Sequence, residues 1–202
     1  QRLSRGLGDV YKRQYDSWDD ANANADNIMY ALQASLEKRE NNFEDTLTSH
    51  IHVHDRYYDT AVKNKYYSQS YTLKGERKMN ISDDLSAGFG SDYNYNKGDF
   101  IVHGNWGSSA KGHSDNFGLF GNLGYNLDET TVLSSHFRAD RHKYSQENIT
   151  YRFNAIKKID DLTLSITEST GLRHPDLYVL HGASNSGTFK SMKTTKPETS
   201  KT

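Results

Sequence analysis

Apolar and polar residues alternate with a period of two along most of this 202-residue chain. In residues 28–37, for example, Tyr30, Leu32 and Leu36 fall on one face of an extended chain, and Gln33 falls on the other. Successive side chains of a β-strand point to opposite faces, so the pattern predicts strands with one apolar face. It recurs in eight segments, near residues 28–37, 43–54, 71–78, 85–94, 116–127, 133–140, 149–155 and 162–167. We therefore predict an all-β chain, an antiparallel meander of about eight strands.

The connections between the predicted strands are of two kinds that alternate along the chain. Short polar turns are expected near residues 38–42, 81–84, 128–130 and 157–161, and longer polar or aromatic segments near 55–67, 95–115, 140–147 and 171–200. In an antiparallel meander, all short turns then lie at one end and all long segments at the other. Outer-membrane barrels have this asymmetry, with short periplasmic turns and longer extracellular loops.

The composition also favours a strand-based membrane protein over a conventional soluble domain. Only 34% of the residues are hydrophobic, which would give a thin packed core. No run of about 18 apolar residues exists for a transmembrane helix, whereas a membrane β-strand needs only alternate apolar positions. The absence of cysteine excludes disulfides, thiol catalysis and cysteine zinc sites, and the net charge of −1 gives no reason to expect nucleic acid.

Alternation alone leaves open which face is buried. In a soluble β-sandwich the apolar face forms the core, whereas in a large membrane barrel it contacts lipid and the polar face lines a wet lumen. Tyrosines near strand ends favour the membrane arrangement. Arg77 falls on the predicted lipid face and argues against it, although a nearby short turn would let its long side chain reach the membrane interface.

The region from Leu162 to Thr202 carries the most specific motif of the chain. A strand ends in a small-Thr-Gly-Leu-Arg-x-Pro segment, a Leu-Tyr pair and a glycine follow, and a Lys-Pro-Glu-x-Ser motif comes later. In order and spacing these residues resemble TonB-dependent outer-membrane receptors, most nearly the vitamin B12 and siderophore type. The matching residues are Thr170, Gly171, Leu172, Arg173, Pro175, Leu177, Tyr178 and Gly182, then Lys196, Pro197, Glu198, Thr199 and Ser200.

The resemblance implies a specific architecture and role. Such receptors have a barrel of about 22 strands around an N-terminal plug. They take up a scarce ligand, such as cobalamin or a ferric siderophore, across the outer membrane of Gram-negative bacteria with energy from the TonB complex. Residues 15–202 would then be part of the barrel, without plug or terminal strands. Residues 1–14 resemble sequencing-adapter read-through and are expected to be an artefactual tail.

Other functions remain open at this stage. A diffusion porin would share the barrel but lack the plug, and a soluble or surface-displayed β-sandwich would use the strands to bind a partner. The chain is not expected to be an enzyme, since no catalytic set can be singled out, and a barrel hydrolase has no support in its residues. The expected partners are outer-membrane lipid and a small-molecule or metal-chelate ligand.

Three groups of residues are candidates for binding. The histidines of one predicted strand share a polar, lumen-facing side and are either metal ligands or ordinary lumen residues. An acidic segment near the start is either a Ca²⁺-binding extracellular loop or a solvated loop, with no other cofactor expected. Aromatic residues in the long segments suit either ligand capture or the aromatic girdle of a membrane protein. These groups are His50, His52 and His54; Asp16, Asp19, Asp20 and Asp26; and Tyr57, Tyr58, Tyr66, Tyr67 and Trp106.

Overall fold

The structure is a computed structural model that describes residues 10–14, 24–59, 63–103, 108–145, 147–184, 192 and 196–202. Its dominant element is one antiparallel sheet in which each of the first nine strands pairs with its neighbours in sequence. The strands are β1 (Val10–Gln14), β2 (Asn24–Glu40), β3 (Phe43–Asp59), β4 (Asn64–Asn80), β5 (Leu85–Val102), β6 (Ser108–Asp128), β7 (Thr131–His142), β8 (Asn148–Ile159) and β9 (Leu162–Arg173). A short helix, α1 (Leu177–His181), and strands β10 (Gly182–Ser184) and β11 (Glu198–Lys201) follow.

The predicted antiparallel meander is confirmed. Each of the eight predicted segments forms a strand, β2 to β9, in the expected order. Three short strands were not predicted: β1 pairs with β2, β10 with β6, and β11 with β9. The proposed artefactual origin of residues 1–14 stays a prediction, although Val10–Gln14 pairs with Asn24–Ile28.

Two of the four expected long connections are wrong. Strands β3 and β4 run through most of residues 55–67, and β5 and β6 run through most of 95–115. The prediction ended each strand where the apolar alternation ended. The backbone ladder continues without it, because the hydrogen bonds between strands do not require apolar side chains. With 17 residues, β3 is about 56 Å long at 3.3 Å per residue and exceeds the length needed to cross a bilayer core.

The two faces of the sheet differ sharply in polarity, and the apolar face is exposed. Across β2 to β9 most of the large apolar side chains lie on one face, where Leu73 is 50% and Leu119 is 53% exposed. Among the described residues, the buried hydrophobic side chains are only those of Ala25, Ala110 and Leu180. No second sheet covers the apolar face in the part of the chain that the structure describes. The sheet therefore lacks the core that a soluble sandwich would have.

The apolar band crosses the strands obliquely. On β5 the exposed ring of Tyr93 belongs to this band, and on β9 the exposed side chain of Ile166 does. Cross-strand pairing connects Ile166 of β9 to Ala155 of β8, then to Leu133 of β7 and Tyr125 of β6. Tyr125 pairs in turn with the first residue of β5, which is eight residues before Tyr93. The end of the apolar band is therefore displaced along the strands between β5 and β9. Strands that cross a flat apolar layer at a tilt produce this offset, and the strands of membrane barrels are tilted in this way.

The arginine that the sequence analysis places on the predicted lipid face, Arg77, is neutralised there. Arg77 and Asp45 are direct cross-strand partners on β4 and β3. Two hydrogen bonds join them, from Nε to Oδ1 and from Nη2 to Oδ2, each 2.6 Å long. The guanidinium also lies 4.5 Å from the centre of the Phe43 ring. The bidentate ion pair and the cation–π contact stabilise the Arg77 charge more than the expected reach of its side chain to the membrane interface would alone.

Short turns close one end of the meander, as predicted. The β6–β7 turn is fixed by Asp128, whose carboxylate accepts hydrogen bonds of 2.8 Å from the Thr130 amide and 2.9 Å from the Thr131 hydroxyl. Aspartate commonly stabilises turns in this manner. A search of the described residues finds no helix long and apolar enough to cross a membrane.

Candidate functional site

The polar face carries a row of hydrogen-bonding side chains that extends across six strands, β2 to β7. Direct register places in one line Gln33, His50, Thr72, Asn94, Asn116 and His142. The Thr72 hydroxyl donates to Asn94 Oδ1 at 2.8 Å, and Asn94 Nδ2 donates to the Asp92 carboxylate at 2.8 Å. The last residues of this row lie beneath the segment that follows β9. The candidate site is therefore at this end of the row.

A charged cluster supports the row from the side of the short turns. Asp92, Gly118 and Asp140 are direct partners on β5, β6 and β7. The guanidinium of Arg138 lies across Gly118 and reaches both carboxylates, at 2.5 Å from Asp92 and 2.7 Å from Asp140. A Cβ at residue 118 would lie 2.2 Å from Arg138 Nη2, so only glycine leaves room for this bridge. Both aspartates are buried, and Arg138 is the cation that both of them contact.

The segment after β9 folds back over the polar face instead of extending away from the sheet. The α1 helix is capped at its start by Asp176, which accepts a 2.8 Å hydrogen bond from the Val179 amide. Gly98 and Gly112 are direct cross-strand partners on β5 and β6. Leu177 packs over Gly98, and His181 packs over Gly112. Strand β10 then pairs with the start of β6. We call residues 174–184 the inward segment.

Replacing Gly112 with leucine is expected to release the inward segment. A Cβ at this position would lie 2.4 Å from the His181 ring, and overpacking of this kind costs about 1–3 kcal/mol. The chain has no cysteine, so a single cysteine at Asn116 reports access beneath the helix, and its labelling rate is expected to rise severalfold in the Gly112→Leu variant. Gly121→Leu on the opposite face of β6 is the control, since a Cβ there meets only a backbone oxygen at 3.6 Å. An equal rise in both variants would contradict the packing described for α1.

A cavity of about 530 Å³, open to solvent on part of its surface, lies between the inward segment and the sheet. The sheet side is formed by polar residues of β5, β6 and β7, and the other side by the turn before α1 and its first residues. The lining consists of Asn94, Asn96, Phe100, Ser114, Asn116 and His142 from the sheet, and of His174, Pro175, Asp176, Leu177 and Tyr178 from the inward segment. Its size is that of a small-molecule site.

Two stacked imidazoles close one side of this cavity. The rings of His142 and His174 are 4.5 Å apart and nearly parallel, at 13°. The Nδ1 atom of His174 is 3.0 Å from the Ser145 hydroxyl, whereas its Nε2 atom is buried without a partner. Burial lowers the pKa of His174; the Arg138 charge lowers it further, and Asp140 partly opposes the shift. Both effects favour the neutral ring.

The protein is therefore expected to lose stability in mild acid. Because the folded pKa of His174 is lowered, its neutral form contributes stability that is complete above the unfolded value of about 6.5 and is lost as the pH falls below it. Urea unfolding of the protein, measured between pH 8 and pH 5, tests this. The His174→Gln variant is expected to show a weaker pH dependence than the unmodified protein. An unchanged dependence in the variant would assign the effect to other groups.

The structure brings together the two halves of the motif that resembles TonB-dependent receptors. Strand β11 pairs with the end of β9, and the directly opposed residues are Thr170 and Lys201, Gly171 and Ser200, Leu172 and Thr199, and Arg173 and Glu198. Between the halves, Pro175, Leu177 and Tyr178 line the cavity, and Gly182 ends α1. Lys196 and Pro197 come directly before β11. The motif thus forms a paired base at the point where the inward segment leaves β9.

The expected ligand-loop tyrosines lie in strands. Tyr57 and Tyr58 belong to β3, and Tyr66 and Tyr67 to β4, so their assignment to loops is wrong for the reason given above. Alternation places Tyr58 and Tyr66 on the polar face, where their rings are 5.9 Å apart and edge-to-face. The Tyr66 ring lies 6.0 Å from Phe100 of the cavity lining. Trp106 lies outside the described residues.

The metal predictions remain predictions. His50, His52 and His54 share the polar face of β3 as expected, and the rings of the last two are 6.4 Å apart. His54 Nε2 is hydrogen-bonded to Asn27 Oδ1. Asp16, Asp19 and Asp20 lie outside the described residues, and Asp26 is in strand β2. Within the described ranges, no group of three or more histidine, aspartate or glutamate side chains is arranged to hold a metal ion.

Comparison with protein-family models, with curated proteins and with solved structures finds no match to this chain. The cavity and the Arg138 cluster were both missed by sequence reasoning. The alternation placed Asn94, Asn116 and Arg138 on the polar face, but only the register shows which of them are neighbours. The available sequence signal for the arginine bridge was Gly118 between Asp92 and Asp140. This signal can be recognised only when the register of the three strands is known.

Proposed function

We propose that this sheet is a section of an outer-membrane β-barrel that takes up a small ligand, in the manner of the TonB-dependent receptors that its motif resembles. The observation that carries the proposal is the exposed apolar face. Burial of apolar surface is the main stabilising term in folding, and an exposed band over eight strands leaves that term unused in water. Lipid is the surrounding that suits this face.

Details of the apolar face fit a bilayer. A shallow depression of about 850 Å³ lies between Leu47, Phe89 and Leu119 where Gly75 has no side chain, and acyl chains would fill it. Near the end with the longer connections, the rings of Tyr71 and Tyr95 are 6.1 Å apart on adjacent strands. Tyrosine is enriched at membrane interfaces. Beyond these rings, the same face carries Lys97 and Lys111, as expected where strands leave the bilayer.

A barrel is the form in which such a sheet would cross a membrane. An open edge leaves backbone N–H and C=O groups unpaired, and each costs several kcal/mol in hydrocarbon. We expect this meander to close together with further strands, as in the barrels of about 22 strands in the proposed family. The polar face, with its row of amides and imidazoles, would line the lumen, and the inward segment would narrow it. Ligand binding, not catalysis, is the proposed role.

The sequence of the complete gene on both sides of this chain tests the receptor part of the proposal. We expect a signal peptide, a plug of roughly a hundred or more residues upstream, and further strands downstream, the last one ending in an aromatic residue. A barrel sequence without a plug would replace the receptor with a diffusion porin. A gene with no further strands would contradict the receptor, because eight tilted strands cannot enclose a lumen that also holds a plug.

Uptake by whole cells then tests the role directly. Cells carrying the complete gene are expected to accumulate one ligand of the class that the family takes up, cobalamin and ferric siderophores among them, and to lose accumulation when TonB is deleted. Uptake that persists without TonB would favour the porin.

A further inference from the structure

We propose that the cavity beneath the inward segment binds a neutral, hydroxyl-rich small molecule of the saccharide class. The inference rests on the proposed function, in that the polar face must be open to solvent, and it adds the site and the chemistry of the ligand. It is argued from the hydrogen-bonding groups that the cavity leaves unsatisfied, from its charge and from its aromatic walls.

The first step concerns Asn116, whose orientation is fixed by its neighbours. Its Nδ2 atom donates to Asp140 Oδ1 at 2.8 Å, and Asp140 is itself held by Arg138. A carboxylate bound to arginine accepts hydrogen bonds and cannot donate them, so the amide nitrogen must face it. The carbonyl oxygen of Asn116 is then directed away from Asp140, and it is buried without a partner.

The second step concerns the opposite side of the cavity. There, the Nε2 atom of His174 is also buried and unpartnered, although Nδ1 has the Ser145 hydroxyl. Buried polar atoms in native proteins are rarely left unsatisfied. Asn116 and His174 thus both line the cavity, and each holds one buried polar atom without a hydrogen-bond partner. A hydroxyl group suits both, since it donates to the Asn116 oxygen and either donates to or accepts from an imidazole nitrogen.

The third step is the charge of the lining. No lysine or arginine is among the described residues that line the cavity, and the carboxylate of Asp176 is occupied by the Val179 amide. Burial favours the neutral form of His174. An anion would therefore find no counter-charge here, and the one carboxylate among the described lining residues, that of Asp176, would repel it. This argues against phosphate-bearing or strongly anionic ligands.

The aromatic walls complete the argument. Phe100 lines the cavity on the sheet side and Tyr178 on the helix side, and Leu177 lies beside them. Aromatic faces pack against the C–H face of a sugar ring, while amides and imidazoles bond its hydroxyl groups. Pockets that combine apolar walls with a few placed polar groups are the usual form of small-molecule sites.

Calorimetry on the complete protein in detergent tests the proposal with defined probes. The probes are the neutral trisaccharides maltotriose, cellotriose and chitotriose, with trigalacturonate and a ferric catecholate complex as anionic comparisons. We expect one neutral trisaccharide to bind, and Asn116→Leu and Asn96→Leu each to weaken it about tenfold, the effect of one lost hydrogen bond. The matched control is Asn122→Leu, on the same face of β6 but outside the cavity lining, which is expected to leave affinity unchanged.

Asn96→Leu keeps the test meaningful if loss of Asn116 disturbs the Arg138 cluster, because Asn96 has no part in that cluster. Three results would overturn the inference: no binding of any neutral trisaccharide, tighter binding of an anionic probe, or binding unaffected by both cavity variants. If the apolar face still contacts lipid when one of these is found, the ligand class fails and the barrel proposal stands. If that face contacts water, the barrel proposal fails independently of calorimetry.

Discussion

The Arg138→Met variant is expected to be among the least stable single variants of this chain, with a loss of about 3 kcal/mol or more. Arg138 is the shared partner of Asp92 and Asp140, which are 8% and 6% exposed. Methionine fills much of the same space but leaves two buried carboxylates facing each other across Gly118. Removing one member of a buried ionic cluster is costly because the remaining charges lose their compensation. Urea unfolding in lipid vesicles measures the effect.

The control for this variant is Arg152→Met. Arg152 lies on the same face of the neighbouring strand β8, is exposed, and makes no ion pair with any described residue. It is expected to change the free energy of unfolding by less than about 0.5 kcal/mol. A further variant, Gly118→Val, should reproduce the Arg138→Met loss, because its side chain would occupy the path of the guanidinium. Similar stabilities for Arg138→Met and Arg152→Met would show that the cluster is solvated and contributes little.

The second large effect is expected on the apolar face. Leu123→Arg would place an unpaired charge in the exposed band, and arginine near the midplane of a bilayer costs about 2–4 kcal/mol in membrane barrels. The adjacent variant Asn122→Arg puts the same side chain on the polar face of the same strand. The folding yield into vesicles and the free energy of unfolding in urea are both expected to fall for Leu123→Arg. Both are expected to stay nearly unchanged for Asn122→Arg. The reverse order would mean that the apolar face is not in lipid.

Sequence reasoning predicted the fold class and strand order because the signal it used is local. Alternation of the type seen around Leu32 and Ile51 depends only on which face each residue takes, and the strands are found where it occurs. It failed where strands such as β3 and β4 continue beyond the apolar band, as at Tyr58 and Tyr66. There the side chains are polar or aromatic on both faces, and pairing is maintained by backbone hydrogen bonds that leave no mark in hydropathy.

The candidate site could not be predicted from the sequence. It depends on register between strands and on a segment that turns inward after Arg173, and both are long-range properties. Gly98 and Gly112 are the clearest example, since they look like ordinary strand glycines until direct pairing shows them as the floor for α1. The family motif located the right region without indicating its contacts. Its two halves prove to be partners across β9 and β11.

Site-directed labelling tests the central claim, that the apolar face contacts lipid and the polar face contacts water. The absence of cysteine allows single-cysteine nitroxide labels in the complete protein without removing native thiols. The paired positions are Leu73 and Thr72 on β4, and Leu119 and Asn122 on β6. In vesicles, labels at Leu73 and Leu119 are expected to be relaxed by oxygen dissolved in lipid, and labels at Thr72 and Asn122 by a water-soluble nickel complex. Relaxation of Leu73 and Leu119 by nickel, with Thr72 and Asn122 shielded from it, would contradict the account.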